Sequence, residues 1–357
     1  LRGLVGSEMC IRDRSMSIED IVYPGFNKSL KELNSLKKIS ENTYEVLDFT
    51  DIEWVRSALQ ESALSISNSV KFEFRKPTDV EMNDVLKKIG ADKTPDQIKD
   101  AFNDGKRVIG ISSGKGGVGK STVTSLLALA YAKKGKKVGI VDADIWGYSI
   151  PKILGAKFPP IPFSNRIFPS KINDLNVISM EYFVKQDEAV IWRGPMLHKA
   201  IEQFLFEVIW EDIDILLIDM PPGTGDVSIS LSQLLTFFET IIVTTPQSNA
   251  TLVAERAGIM SKKVNSSIIG VIENMSFMKV EDSIIHPFGE GGGTTLSEKL
   301  EVPLVGQIPL DKLIASYCEM GRLQDITSHK IFEDILEFSD KIDKIAPKKK
   351  PINLKIN

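Results

Sequence analysis

From Arg107 onward, short apolar runs alternate with longer stretches of helical spacing. RVIGIS (107–112), KVGIVDAD (137–144), LNVISM (175–180), DILLIDM (214–220), TIIVTT (240–245) and SIIGVIE (267–273) are rich in β-branched residues and nearly unbroken. Strands covered on both faces of a parallel sheet need such runs, because neither face meets water. STVTSLLALAYAKK (121–134) and MLHKAIEQFLFEVIW (196–210) lie between them with amphipathic spacing. The alternation predicts a doubly wound, mainly parallel α/β domain over residues 106–345. KIFEDILEFSDKIDKI (330–345) reads as an amphipathic helix with a mainly acidic polar face, expected to pack on that sheet.

The pattern before Arg107 is different. TYEVLDF (43–49) alternates like a strand, and DIEWVRSALQESALSI (51–66) has helical spacing opened by Asp51 as an N-cap candidate. VKFEF (70–74) alternates again, so residues 16–77 read as a small α+β domain preceding the α/β domain. Residues 78–105 are polar and charged, and read as a linker with one or two short helices. Residues 1–15 lack the apolar core and small-residue cleavage site of a secretory signal. They read either as a translated linker or artefact ahead of a start at Met16, or as a disordered native arm. Residues 346–357 form a short basic tail containing proline, read as a solvated end.

Composition narrows the function classes. The 44 basic and 48 acidic residues give a net charge of −4, with no global pull toward nucleic acid or an anionic membrane. No apolar run approaches the roughly 20 residues that span a bilayer. Two distant cysteines, Cys10 and Cys318, provide no disulfide framework and cannot build a four-thiolate site within one chain. The expectation is a cytoplasmic protein that binds neither nucleic acid nor membrane. The three histidines, His198, His286 and His329, show no metal-ligand spacing.

The segment GKGGVGKST (114–122) follows the first strand and opens a helix, the context that G-x-x-x-x-G-K-[ST] requires. Gly114, Gly116, Gly117 and Gly119 let the backbone curl so that its N–H groups, with that of Val118, point at phosphate oxygens. The helix that follows adds its N-terminal dipole. Lys120 is expected to reach the β- and γ-phosphates, the Ser121 hydroxyl to ligate Mg²⁺, and Thr122 to donate to the α-phosphate. Lys115, directly after the first glycine, is a second lysine that an ordinary phosphate loop does not need.

Carboxylates follow at the ends of two strands. VDADIWG (141–147) presents Asp142 and Asp144, with Asp142 read as capping or positioning its loop. LLIDMPPGTGD (216–226) supplies Asp219, placed to hold a Mg²⁺-bound water. In the turn that follows, Gly223 can approach the γ-phosphate, and Asp226 can link to a partner or to the magnesium shell. Arg193 is left open between touching phosphate or partner and pairing with Asp226.

KGGVGKS resembles the deviant Walker A loop of the family that includes ParA, MinD, nitrogenase iron protein and the Mrp proteins. AVIWRGPMLHKAIEQF (189–204), DILLIDMPPGTGDVSISLSQ (214–233), GVIENMS (270–276), FGEGGG (288–293) and GQIPLD (306–311) are similar to the Mrp/ApbC branch, over roughly residues 106–330. The resemblance implies a homodimeric ATPase of slow turnover with ATP and Mg²⁺ as cofactors. It implies that Lys115 reaches the partner's nucleotide and that Asp144 orients or activates the attacking water. It also implies that Asn274 reads the adenine edge, with Pro309 bordering the same pocket. Mrp proteins carry or assemble iron–sulfur clusters through a C-x-x-C pair just after ENMS, four thiolates per dimer, and serve client or scaffold proteins. Residues 273–293 contain no cysteine, and Met278 to Ser283 occupy the place of that pair. Cys318 reads as a small buried hydrophobe rather than a ligand. Two functions therefore stand above the same chemistry: cluster carriage or assembly, and a nucleotide-dependent switch or scaffold of the ParA/MinD type.

Overall fold

The computed structural model describes residues 17–26, 28–104, 106–145, 147, 149–183, 194–223, 225–247, 264 and 266–345. The chain divides into two compact units, residues 1–92 and 93–357.

In the first unit, β1 (Leu36–Lys38) pairs antiparallel with β2 (Thr43–Leu47). β2 pairs parallel with β3 (Lys71–Arg75) across the crossover helix α1 (Glu53–Ile66). α1 buries Val55, Leu59 and Ala63, spaced by four on one face. Asp51 is not its N-cap. Ile52 takes that position without a side-chain bond, and Asp51 sits at φ 56°, where its N–H donates to Asp48 Oδ1 at 3.0 Å. Asp48, buried and hydrogen-bonded to Arg56 Nε at 2.7 Å, has taken over the stabilising role. α2 (Asp79–Lys88) closes the unit, opened by a capping box between Thr78 and Glu81.

The stretch 78–105 is thus not a plain linker. α2 belongs to the first unit, whereas α3 (Pro95–Asp104) belongs to the second and buries Ile98 and Phe102 against its core. Two apolar residues four apart on an otherwise polar helix are enough to dock it.

The second unit is built on an eight-stranded sheet. In chain order its strands are β4 (Arg107–Ser113), β5 (Val138–Asp142), β8 (Ser170–Ile172), β9 (Leu175–Ser179), β10 (Ile215–Asp219), β11 (Phe238–Thr244), β12 (Ser266–Glu273) and β15 (Leu304–Gln307). The spatial order is β15-β12-β11-β4-β10-β5-β9-β8, parallel except for the β8 edge, so β10 sits between β4 and β5. The remaining strands form two separate antiparallel hairpins, β6 (Ile161–Phe163) with β7 (Arg166–Phe168), and β13 (Met278–Val280) with β14 (Ser283–Ile285).

Helices cover both faces. α4 (Lys120–Lys133), α5 (Ile150–Leu154), α9 (Lys312–Met320) and α10 (Ile331–Lys344) share one core with Ile109, Ile111, Ile215 and Leu217. On the other side, α6 (Gly194–Phe206) and α7 (Asp226–Leu234), with α3, enclose Val108, Leu216 and Ile218. α8 (Gly292–Leu300) covers Ile242 and Val271 through Leu296. Successive residues of β10 therefore enter different cores, which is why its sequence is continuously apolar. α4 is buried almost all round because α10 packs over it, with Phe332, Ile335, Phe338 and Ile342 buried. Beneath the sheet, Arg107 pairs with the buried Glu239 through Nε at 2.5 Å and Nη2 at 3.1 Å, and donates to the Ile342 carbonyl of α10. Among the described residues no helix is long and apolar enough to cross a membrane.

α5 and α9 meet backbone to backbone. Gly155 ends α5 at φ 69°, and a Cβ there would lie 2.1 Å from the carbonyl oxygen of Gly321, which ends α9. Gly155→Ala combines a left-handed backbone strain with a clash that only helix separation relieves. The variant is expected to lose about 2–4 kcal/mol of stability, measured as a lower urea midpoint.

Candidate functional site: a phosphate loop at the strand ends

The carboxyl ends of β4, β5 and β10 converge where an open α/β sheet places its ligands. The loop from Gly114 to Gly119 runs from β4 into α4 and caps a cavity of about 350 Å³. That cavity is lined by Lys115 through Thr122, by Ser113, Asp144, Gly147, Ser149 and Ile153, and by Pro222. Gly117 and Gly119 hold φ values of 77° and 78°, which lets the loop turn its amides inward. Gly119 is fixed from behind as well. A Cβ on it would meet Asn274 Nδ2 at 2.2 Å, and that same nitrogen donates to the Val118 carbonyl at 2.9 Å.

Behind Lys120 and Ser121, outside the cavity lining, lies Asp219, fully buried. Lys120 Nζ donates to its Oδ1 at 2.7 Å, Ser121 Oγ to its Oδ2 at 2.5 Å, and Thr124 Oγ1 to its Oδ1 at 3.0 Å. Lys120 also stands 3.4 Å from Asp144 Oδ2. The other Asp144 oxygen, Oδ1, is buried without a hydrogen-bond partner among the described residues. Burial pushes the Asp219 carboxyl above the usual range, and its bonds with Lys120 and the two hydroxyls oppose that shift. Asp142, opposite Asp219 across β5 and β10, is pushed up to about 7, first by burial and then by the Asp219 charge. Two buried carboxyl groups, Asp219 and Asp144, thus flank one buried ammonium, Lys120, with Asp142 beside Asp219. That imbalance and the unsatisfied oxygen suit a divalent cation beside Ser121 and Asp219, both oxygen donors.

The sequence-predicted residues are placed as follows. Lys115 is exposed on the rim, its carbonyl accepting from Ser113 Oγ at 3.0 Å. Thr122 faces the cavity and lies 3.8 Å from Cys318 Sγ. Cys318 is half-buried against the α4 core, and burial raises its thiol pKa. Gly114 starts the loop outside the cavity lining, and Gly223 is tied to the Ser113 carbonyl by its N–H at 3.0 Å. Asn274 and Pro309 are buried at the ends of β12 and β15 and do not line the cavity. Asp226 is exposed at the start of α7, and Arg193 lies outside the described residues.

Several residues carry the site without having been singled out in the sequence. Thr124 gives Asp219 its third donor; its position one helical turn after Lys120 was the available signal. Ser149 and Ser179 bond Asp142. Glu273, fully buried, accepts from Ser276 Oγ and the Gly293 N–H at 2.5 Å each, and from Gln307 Nε2 at 2.8 Å. It thereby binds together the ends of β12 and β15 and the start of α8. His286 stands 3.3 Å from Glu290, and His329 Nε2 is 3.0 Å from the Tyr317 hydroxyl. Among the described residues no cluster of His, Cys, Asp and Glu is able to hold a metal ion by itself.

A strand, a glycine loop and a helix that direct amides, a lysine and a hydroxyl into one cavity define a P-loop NTPase domain. Residues 104–343 match the family model of ParA, described as NUBPL iron-transfer P-loop NTPase. The chain belongs to this family. It is 48% identical over 222 residues to the iron-sulfur cluster carrier protein of Mycobacterium leprae, covering 60% of this chain and 58% of that protein. The iron-sulfur cluster carrier protein of Haemophilus influenzae is 35% identical over 335 residues, covering 91% of this chain and 89% of that one. The nucleotide-binding protein of Archaeoglobus fulgidus, solved in complex with ADP, superposes with a TM-score of 0.58 at 33% identity, covering 68% of this chain and 96% of that one. These likenesses agree with the Mrp/ApbC resemblance and with the doubly wound α/β fold.

The Gly119–Asn274 contact generates a direct test. Gly119→Ala adds a side chain where the backbone is left-handed and Asn274 already fills the space. The variant is expected to keep its fold but bind ADP about tenfold or more weakly by isothermal titration calorimetry.

Proposed function

We propose that this chain is a Mg²⁺-dependent ATPase that acts as a homodimer in iron–sulfur cluster carriage or assembly. The observation that carries the ATPase reading is the Lys120–Ser121–Thr124 cluster on Asp219, facing an Asp144 with one unsatisfied oxygen. Binding belongs to the loop. Its amides and Lys120 take the phosphates, Thr122 the α-phosphate, and Gly223 the γ-phosphate side. Asn274 and Pro309 are assigned to the adenine end. Ser121 would hold Mg²⁺, with Asp219 holding it directly or through a water; the ion, when bound, neutralises phosphate charge.

Catalysis on this reading is positioning and electrostatics. Lys120, now paired with Asp219 and Asp144, turns to the phosphates and neutralises charge as the terminal phosphoryl group departs. Asp144 accepts a hydrogen bond from the attacking water and fixes its line of approach. Lys115, exposed on the rim, supplies a second cation to the nucleotide of a partner subunit. Lys120→Ala is expected to weaken ATP binding by about 100-fold. Asp144→Ala is expected to bind ATP normally but to hydrolyse it about 100-fold more slowly in single-turnover assays. Equal turnover by the Asp144 variant and the parent would remove that role.

The cargo assignment is supported by the iron-sulfur cluster carrier relatives. The residues present do not fit the usual ligand set: β13 and β14, where the resemblance puts the C-x-x-C pair, carry no cysteine. This favours a second reading, a nucleotide-dependent switch or scaffold without a cluster. Anaerobic reconstitution with iron and sulfide separates the two. Visible absorbance with stoichiometric iron and sulfide supports carriage, and a colourless protein supports the switch.

A further inference from the structure

The segment between β5 and α5 has Asp144 near one end and Ser149 at the other, and one buried side chain bonds both ends. Asp142 Oδ2 accepts from the Ser149 N–H at 3.1 Å, the Ile150 N–H at 3.2 Å and Ser179 Oγ at 3.1 Å. Its Oδ1 accepts from the Asp144 N–H at 3.4 Å. Ser179 ends β9, the strand beside β5, and its hydroxyl is itself oriented by accepting the Glu181 N–H at 3.1 Å. The bonds thus tie the segment to the rigid sheet rather than to another loop.

We infer that Asp142 is a positioning residue for hydrolysis: it clasps the 143–149 segment at both ends and so aims the Asp144 carboxylate into the phosphate cavity. This rests on the reading of Asp144 as the residue that orients water. Asp142 itself has no place in the cavity lining, so it acts through Asp144. Without the clasp, the segment keeps the Lys120–Asp144 pair and the Ala143 N–H bond to the Asp219 carbonyl but loses its ties at Ser149, Ile150 and the Asp144 N–H. It then samples more conformations, and fewer of them hold the carboxylate in line with an attacking water. Within the segment the Gly147 N–H donates to the Asp144 carbonyl at 3.3 Å.

Asp142→Asn is nearly isosteric but cannot satisfy both ends. With its oxygen toward Ser149, Ile150 and Ser179, its NH₂ faces the Asp144 N–H, donor against donor. Turned over, its NH₂ faces the Ser149 and Ile150 N–H groups, donor against donor, and only the Ser179 hydroxyl can turn to accept. The full chain and its variants are compared by ATP turnover, KM, ADP affinity and thermal midpoint. Asp142→Asn is expected to lower kcat about tenfold or more while KM and ADP affinity stay within about twofold. Ser179→Ala, which removes one donor of four, is expected to lower kcat about two- to fivefold. Added to Asp144→Ala, Asp142→Asn is expected to cost nothing more, because the group it positions is gone. A parent kcat in Asp142→Asn, or a further loss in the double variant, overturns the clasp. So does parallel loss of ADP affinity and kcat. Should Asp142→Asn fail to fold, Ser179→Ala decides: lowered kcat at constant KM supports the clasp, and parent kcat overturns it. An inactive parent, or a fully active Asp144→Ala, would instead remove the reading of Asp144 beneath it.

Discussion

A carboxylate buried without solvent must be satisfied by the protein, and Asp219 is satisfied almost entirely by the first two turns of one helix. Lys120, Ser121 and Thr124 all donate to it. Removing one side of such an arrangement leaves a buried charge uncompensated, at a cost of about 3–5 kcal/mol. That penalty fixes the start of α4 against the end of β10, and the glycine loop must then close the short gap between β4 and α4. Because β10 lies between β4 and β5, the same anchor brings the loop and the Asp142–Asp144 strand end to opposite sides of one carboxylate. The geometry of the phosphate cavity follows from this single constraint.

On the proposed reading, the lysine that closes the cluster is also the one the phosphates call for. In the arrangement described, Lys120 stands between Asp219 and Asp144 and holds together groups that would otherwise repel. A phosphate chain offers a stronger set of acceptors, and a divalent cation can replace the lysine's charge beside Asp219. Ligand binding on this view is an exchange of partners inside a prebuilt cluster, with little need for the sheet to move. The sheet is well suited to remaining still: its central strands are apolar on both faces, and the Arg107–Glu239 pair ties its opposite end to α10.

Most of the α/β unit was legible because burial on both faces leaves a plain mark, an unbroken apolar run. The phosphate loop was legible because few residue types permit its backbone. What was missed has physical reasons. β8 and β15 are three and four residues long and lie at sheet edges, too short for a periodic signal. α3 was expected as a short helix of a linker, because only Ile98 and Phe102 reveal its buried side. Asp51 had the composition of a cap, but Asp48 three residues earlier captured its backbone, a competition that depends on Arg56 one helical turn ahead. Ser179 was invisible because its partner is remote in sequence, and a hydroxyl in an apolar run carries no sign of what it will bond; Thr124 showed only its place one helical turn after Lys120.

Glu273 and Asn274 are adjacent, yet they face different parts of the domain. One gathers the start of α8 and the end of β15; the other supports the back of the phosphate loop at Val118. The β13–β14 hairpin, with Val280, Ile284 and Ile285 exposed, rises from the turn immediately after them. The Ser276 N–H bonds the Ile308 carbonyl, and the Leu310 N–H bonds the Phe277 carbonyl, so the root of the hairpin is stitched to the sheet. Loop and hairpin root are therefore held by closely spaced residues of the same turn. The back of the phosphate loop at Val118 and the foot of an exposed arm thus hang from neighbouring residues of one chain turn, Asn274 on one side and Ser276 and Phe277 on the other.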